Sequence, residues 1–206
     1  MSIPGFEQYR RIWDAGESCN TIKILPGEFY VTREQERVET VLGSCIAACI
    51  RDPIAGIGGM NHFMLPIDKN SSNSMGDMKI TDANRYGNFA MENLINTILK
   101  NGGKRQNLEV KVFGGGRIMN QMTNIGWYNI GFVLDYLNTE GFDIVSQDIG
   151  DIFPRKVLYY PASGRVKVRR LNALHSEKLV QQETRYQNTV SSDVGSSASD
   201  DIELFD

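Results

Sequence analysis

The feature that most constrains the fold is a pair of apolar runs separated by turn chemistry. The first is Glu39-Thr40-Val41-Leu42-Gly43-Ser44-Cys45-Ile46-Ala47-Ala48-Cys49-Ile50-Arg51, the second runs from Ile57 to Leu65, and Asp52-Pro53 and Gly56 lie between them. Short β-branched and apolar runs bounded by Asp, Pro and Gly form strands, and two of them a few residues apart form an antiparallel hairpin. Centring the turn between Pro53 and Ile54 pairs residues whose numbers sum to 107, which sets Cys45 opposite His62. A four-residue loop, or a bulge at Gly58-Gly59, shifts that register.

The remaining chain alternates strand and helix signals. A polar N-terminal extension, residues 1–20, offers Tyr9, Ile12 and Trp13 for docking, and regular structure is expected from Thr21-Ile22-Lys23-Ile24 onward. Pro26-Gly27 turns the chain into a strand at Glu28-Phe29-Tyr30-Val31-Thr32. Residues 66–81 are polar and leave directly from the second run, as a surface loop or a cover over a site does. Tyr86, Phe89, Ala90, Leu94, Ile95, Ile98 and Leu99 recur at helical spacing before Asn101-Gly102-Gly103. A strand from Leu108 to Phe113 enters Gly114-Gly115-Gly116, a second helix spans Trp127 to Glu140, and a strand covers Phe142 to Gln147. Residues 156–160 and 165–169 bracket Pro161-Ala162-Ser163-Gly164 as another hairpin. The sum is an α/β fold, one domain over residues 21–180 in which a mixed sheet carries helices. Beyond Lys178 apolar periodicity is lost, and residues 181–206 read as a disordered acidic tail. The stretch 187–206 holds five acids and no Lys or Arg, so the rest of the chain carries +2 against −3 for the whole.

Charge and cysteine usage exclude several classes. Basic and acidic residues are interleaved, so no electrostatic footprint for nucleic acid exists. No apolar run approaches the eighteen or so residues that span a bilayer, which argues against membrane insertion, and the opening residues lack a secretory signal. Three cysteines, Cys19, Cys45 and Cys49, make no disulfide framework and suit a reducing, cytoplasmic compartment.

Candidate chemistry concentrates around Cys45. In Leu42-Gly43-Ser44-Cys45 the small residues allow a tight backbone turn, with the N–H groups of Ser44 and Cys45 facing a bound carbonyl. A cysteine in an apolar strand is, taken alone, ordinary core filler. The second histidine, His175, lies near the polar end of the core, so His62 is the base that position favours. A hydroxyl can hold the other imidazole nitrogen, and both Thr40 and Ser44 qualify. Cys49 with His62 makes a poor metal site, because further ligands are missing. Gly114-Gly115-Gly116 lacks the rest of any phosphate-binding motif, so tight backbone packing accounts for it better. The methionines, Met60, Met64, Met75, Met78, Met91, Met119 and Met122, read as core filler rather than a binding surface.

Pro26-Gly27-Glu28, LGSCIAACIRDP at 42–53, GGMNHFMLP at 58–66, Tyr86 with its helix, VFGGGRIM at 112–119 and Asn124-Ile125-Gly126 together resemble the CheD family, over roughly residues 20–170. The resemblance implies a chemoreceptor glutamine deamidase with an α/β sandwich similar to that of bacterial toxin deamidases, and a Cys-His-Thr catalytic set. Carried over, Cys45 is the nucleophile and His62 the base. The third member falls on Thr40, one residue nearer the cysteine than the family spacing, where this chain has Glu39. No metal or organic cofactor is implied. The expected partners are cytoplasmic domains of chemoreceptors and a CheC-like phosphatase, and the expected outcome is tuning of chemotactic adaptation. A binding module that docks on receptors without turnover is the competing class.

Overall fold

The computed structural model describes residues 3–66, 78–118, 125–172 and 176–196. In chain order the elements are β1 (Arg11–Asp14), β2 (Cys19–Lys23), β3 (Phe29–Thr32), β4 (Glu36–Leu42), β5 (Ile46–Asp52), β6 (Ile57–Asn61), α1 (Met78–Lys100), β7 (Glu109–Gly114), α2 (Ile125–Thr139), β8 (Ile144–Ile149), β9 (Arg155–Tyr160), β10 (Arg165–Arg170) and α3 (Ser176–Ser196).

The α/β class expected from the sequence is present, but the strands form two mixed sheets rather than one. Their orders are β1-β2-β4-β9-β10 and β3-β6-β5-β7-β8. The apolar run 39–51, which reads as one strand, is divided between them. β4 ends at Leu42 in the first sheet, and Gly43-Ser44-Cys45 carries the chain across to β5 in the second. The smallest residues of the run stand where the backbone must turn most sharply, so composition alone hides the break.

The hairpin of β5 and β6 forms in a register displaced from the one counted on the sequence. Cys49 pairs with Met60 and Asp52 with Ile57, and an isolated bridge joins Ile46 to Phe63, so partners sum to 109 and Cys45 is not opposite His62. The cause is a four-residue turn. The Asp52 carboxylate accepts the N–H groups of Ile54 and Ala55, both at 2.8 Å, and so closes the loop one residue later at each end. A displacement of two residues, unlike a displacement of one, preserves face parity, so Cys45 and His62, just beyond the paired ends of β5 and β6, still fall on one face of the register.

Burial patterns assign the layers. Along β4, Glu36, Val38, Thr40 and Leu42 are buried while Glu39 and Val41 are partly exposed, and on that second face Arg37 is buried in an ion pair with Asp14. β5 is buried throughout except for Arg51, because the first sheet covers one of its faces and α1 and α2 pack on the other. The resulting core joins Ile22, Val38, Leu42 and Val157 to Ile46, Ile50, Val112, Leu94 and Val133 in one cluster. Each such aliphatic side chain contributes about 1.5–3 kcal/mol by leaving water.

Two sequence expectations about the ends of the chain change. Tyr9 docks, donating to the Phe29 carbonyl at 3.0 Å, but Ile12 and Trp13 lie on the edge strand β1 and are 52% and 62% exposed. Residues 181–196, expected to be disordered, belong to α3, whose Leu179, Glu183, Gln187 and Val190 are buried. Its stripe was illegible because a glutamate and a glutamine sit in the middle of it. His175, Met75, Met119, Met122 and most of the polar stretch 66–81 fall outside the described residues; Met78 opens α1, eight residues before the expected periodicity. None of the described helices is long and apolar enough to cross a membrane.

Candidate active site

The Gly43-Ser44-Cys45 crossover is held by its carbonyl groups, which leaves its amides pointing the other way. Gly116 N–H donates to the Gly43 carbonyl at 2.7 Å, Gly115 N–H to the Cys45 carbonyl at 2.8 Å, and Asn129 Nδ2 to the Ser44 carbonyl at 2.8 Å. Gly114-Gly115-Gly116 therefore serves close backbone packing, as its composition suggested. Gly114 has φ 116°, and a Cβ there would collide with the Cys45 carbonyl oxygen. Asn129 also accepts the Leu65 N–H at 2.8 Å, tying α2 to both apolar runs at once.

On the opposite side three consecutive N–H groups converge on one carboxylate. Gly43 N–H donates to Glu183 Oε1 at 2.8 Å, Cys45 N–H to the same oxygen at 3.4 Å, and Ser44 N–H to Oε2 at 3.0 Å. The Ser44 hydroxyl adds a 2.7 Å bond to Oε2. Successive amides of this kind form a concavity suited to negative oxygen. The Ser44 and Cys45 amides expected to face a carbonyl thus face an anionic one, and Gly43 joins them. Sequence reasoning missed Glu183 and Asn129. For Glu183 the available signal was Leu179, Tyr186 and Val190 at helical spacing around it.

His62 follows β6 and meets Thr40 from the other sheet. Thr40 Oγ1 donates to the Ile24 carbonyl at 2.9 Å and lies 2.7 Å from His62 Nδ1. With its own hydrogen committed to Ile24, the hydroxyl accepts from Nδ1–H, which assigns the tautomer and leaves Nε2 with a free lone pair. Nε2 is buried and has no protein partner among the described residues. The Pro26-Gly27-Glu28 turn fixes the ring's backbone: Gly27 N–H donates to the His62 carbonyl at 2.7 Å and His62 N–H to the Glu28 carbonyl at 2.9 Å. Of the two hydroxyls left open by the sequence, Thr40 contacts the imidazole while Ser44 is turned to Glu183.

Burial dominates the electrostatics. Cys45 is 0% and His62 2% exposed, so the thiol expected beside a bound carbonyl is sealed from solvent. The physical reason is α3, whose Glu183 fills the cradle of amides and whose Tyr186 lies against Gly27 and is hydrogen-bonded to Tyr86. Burial raises the Cys45 thiol well above its ordinary pKa, and the adjacent Glu183 carboxylate raises it further. Desolvation lowers His62 to about 3, so the imidazole is neutral. Cys49 is also buried with its pKa raised, and no cluster of three His, Cys, Asp or Glu that could hold a metal exists among the described residues.

The family model described as CheD chemotactic sensory transduction matches residues 64–170. A protein of Hydrogenovibrio crunogenus named probable chemoreceptor glutamine deamidase CheD is 62% identical over 192 residues, covering 93% of this chain and 97% of its own. The chain belongs to the CheD family. A second member of the same name, from Hahella chejuensis, is 47% identical and covers 100% of this chain and 94% of its own; one from Halorhodospira halophila is 45% identical over 98% and 93%. The match to the CheD model begins two residues after His62, so Thr40, Cys45 and His62 lie in the part spanned by the full-length alignments.

Proposed function

We propose that this CheD-family chain is a hydrolase that converts glutamine side chains of chemoreceptors to glutamate, with Cys45 as nucleophile and His62 as base. Thr40 is the positioning residue. The single observation that carries the residue assignment is the cradle of the Gly43, Ser44 and Cys45 amides around a carboxylate beside the thiol. The orienting bond between His62 and Thr40 supports it, and the names of the relatives support the reaction and the substrate class.

In this reading Nε2 takes the thiol proton and sulfur attacks the carboxamide carbon. The tetrahedral oxygen draws on the backbone amides, and ammonia leaves with the proton from His62. Water, deprotonated by the same imidazole, then attacks the thioester, restoring the thiol and releasing glutamate. Glutamine and water thus give glutamate and ammonia, and the residues present need no cofactor. Each turnover adds a negative charge to a receptor helix, which supports a role in adaptation on the cytoplasmic side, where a CheC-like partner also belongs.

The burial of Cys45 and His62 favours the competing reading, a receptor-docking module without turnover. Ammonia release from cytoplasmic receptor fragments, with Cys45→Ala and His62→Ala alongside, separates the two. Turnover abolished by both substitutions with binding retained is the expected result; wild-type binding with no ammonia would sink the enzyme assignment.

A further inference from the structure

Glu183 is fully buried, yet among the described residues its carboxylate is held by the backbone amides of residues 43–45 and the Ser44 hydroxyl rather than by a cation. A buried carboxylate is costly unless its oxygens are well supplied with donors, and among the described residues four hydrogen bonds from donors reach this one. The cradle is therefore built for negative oxygen, and what fills it is the side chain that a glutamine becomes on deamidation. The helix around it is seated by one face. Leu179, four residues before Glu183, and Val190, seven after, are buried, and Tyr186, three after, packs on Gly27. Gln181, Gln182, Arg185 and Asn188 on the other side are exposed.

We propose that α3 is an intramolecular occupant of the substrate site, and that the surface it covers docks a partner's amphipathic helix presenting a glutamine where α3 presents Glu183. The substrate half of this rests on the deamidase reading; the occlusion of Cys45 does not. A substrate helix must displace α3, so the chain limits its own activity, and a helix already carrying glutamate at the site competes as α3 does. A carboxamide at position 183 would turn its NH2 toward the Ser44 N–H, donor against donor, and hold less firmly.

The test is alkylation of Cys45 by iodoacetamide in the full chain, located by peptide mass mapping, for wild type, Glu183→Gln, Glu183→Ala and Tyr186→Ala. Circular dichroism verifies that each is folded. Loss of charge-assisted hydrogen bonds predicts alkylation about tenfold faster in Glu183→Ala and a smaller rise in Glu183→Gln. Ammonia release from receptor fragments should rise in parallel, and a synthetic peptide of residues 176–196 should suppress both gains, more strongly than the same peptide carrying Glu183→Ala. Unchanged alkylation in all three folded variants would overturn the proposal. So would a fall in ammonia release as alkylation rises, since Glu183 would then serve the chemistry. Faster alkylation with no ammonia from any variant supports α3 as occupant and removes the deamidase reading instead.

Discussion

His62 Nδ1 lies 2.7 Å from Thr40 Oγ1; Thr40 belongs to β4 of one sheet and His62 directly follows β6 of the other, so the imidazole is oriented by the packing of one sheet on the other. Because the same hydroxyl donates to Ile24, it can only accept from the ring, and this holds the Nε2 lone pair available.

Replacing Thr40 therefore acts through His62. Thr40→Ala is expected to lower kcat for ammonia release about 10- to 100-fold, with KM little changed, and to cost about 1–3 kcal/mol of stability through the orphaned Nδ1–H and Ile24 carbonyl. Thr40→Ser keeps the hydroxyl and should recover most of the rate. Equal loss in the Ala and Ser variants would mean that the methyl group's packing, not the hydrogen bond, is what matters.

The buried neutral imidazole makes stability depend on pH. His62 titrates near 3 in the folded chain, lowered by desolvation, against about 6.5 when unfolded. Between those values the unfolded state binds a proton that the folded state does not, so stability is full above about pH 6.5 and falls as pH is lowered, by up to about 1.4 kcal/mol per pH unit. Urea unfolding between pH 7 and 5 should show this loss, and His62→Gln should flatten it. A wild-type profile already flat over that range would contradict the burial.

The Asp52 turn sets the register that keeps Cys45 and His62 on one face. Beyond the two turn amides, its carboxylate accepts Lys104 N–H at 2.8 Å and Asn107 Nδ2 at 3.2 Å. Burial opposes the charged form, but these bonds and those of the turn hold its pKa below the ordinary value. Asp52→Ala should cost about 2–4 kcal/mol by urea unfolding, because four donors lose their acceptor. Asp52→Asn keeps the acceptor oxygen and should cost less.

What the sequence disclosed, and what it hid, follows from how each residue acts. The hairpin and the two central helices were legible because apolar periodicity and turn chemistry are local, whereas Thr40, which the structure sets against His62, was singled out over Ser44 only through the family resemblance. The register was off by two because Asp52 captures amides two and three residues ahead, a side-chain effect that counting cannot see. The strand break at Gly43 was hidden by the continuous apolar character of its flanks. α3 was read as disorder because its seating depends on a buried glutamate, and a charged residue counts against a helix face until its amide partners, about 140 residues away, are known.

Asn129 is the residue through which α2 reaches the crossover. It is fully buried, gives Nδ2–H to the Ser44 carbonyl and takes the Leu65 N–H, both at 2.8 Å. With the Ser44 carbonyl held there, the Ser44 and Cys45 amides are turned into the cradle. Asn129→Leu matches the volume but orphans one acceptor and one donor, at about 1–3 kcal/mol each. Ammonia release should fall at least about tenfold, because the amides lose the direction in which they meet an oxyanion. Asn129→Asp retains the acceptor for Leu65 but sets a carboxylate against the Ser44 carbonyl, and should be as slow. If Asn129→Leu unfolds earlier in urea yet turns over at the wild-type rate, the cradle is held by Gly115 and Gly116 alone and Asn129 is purely structural.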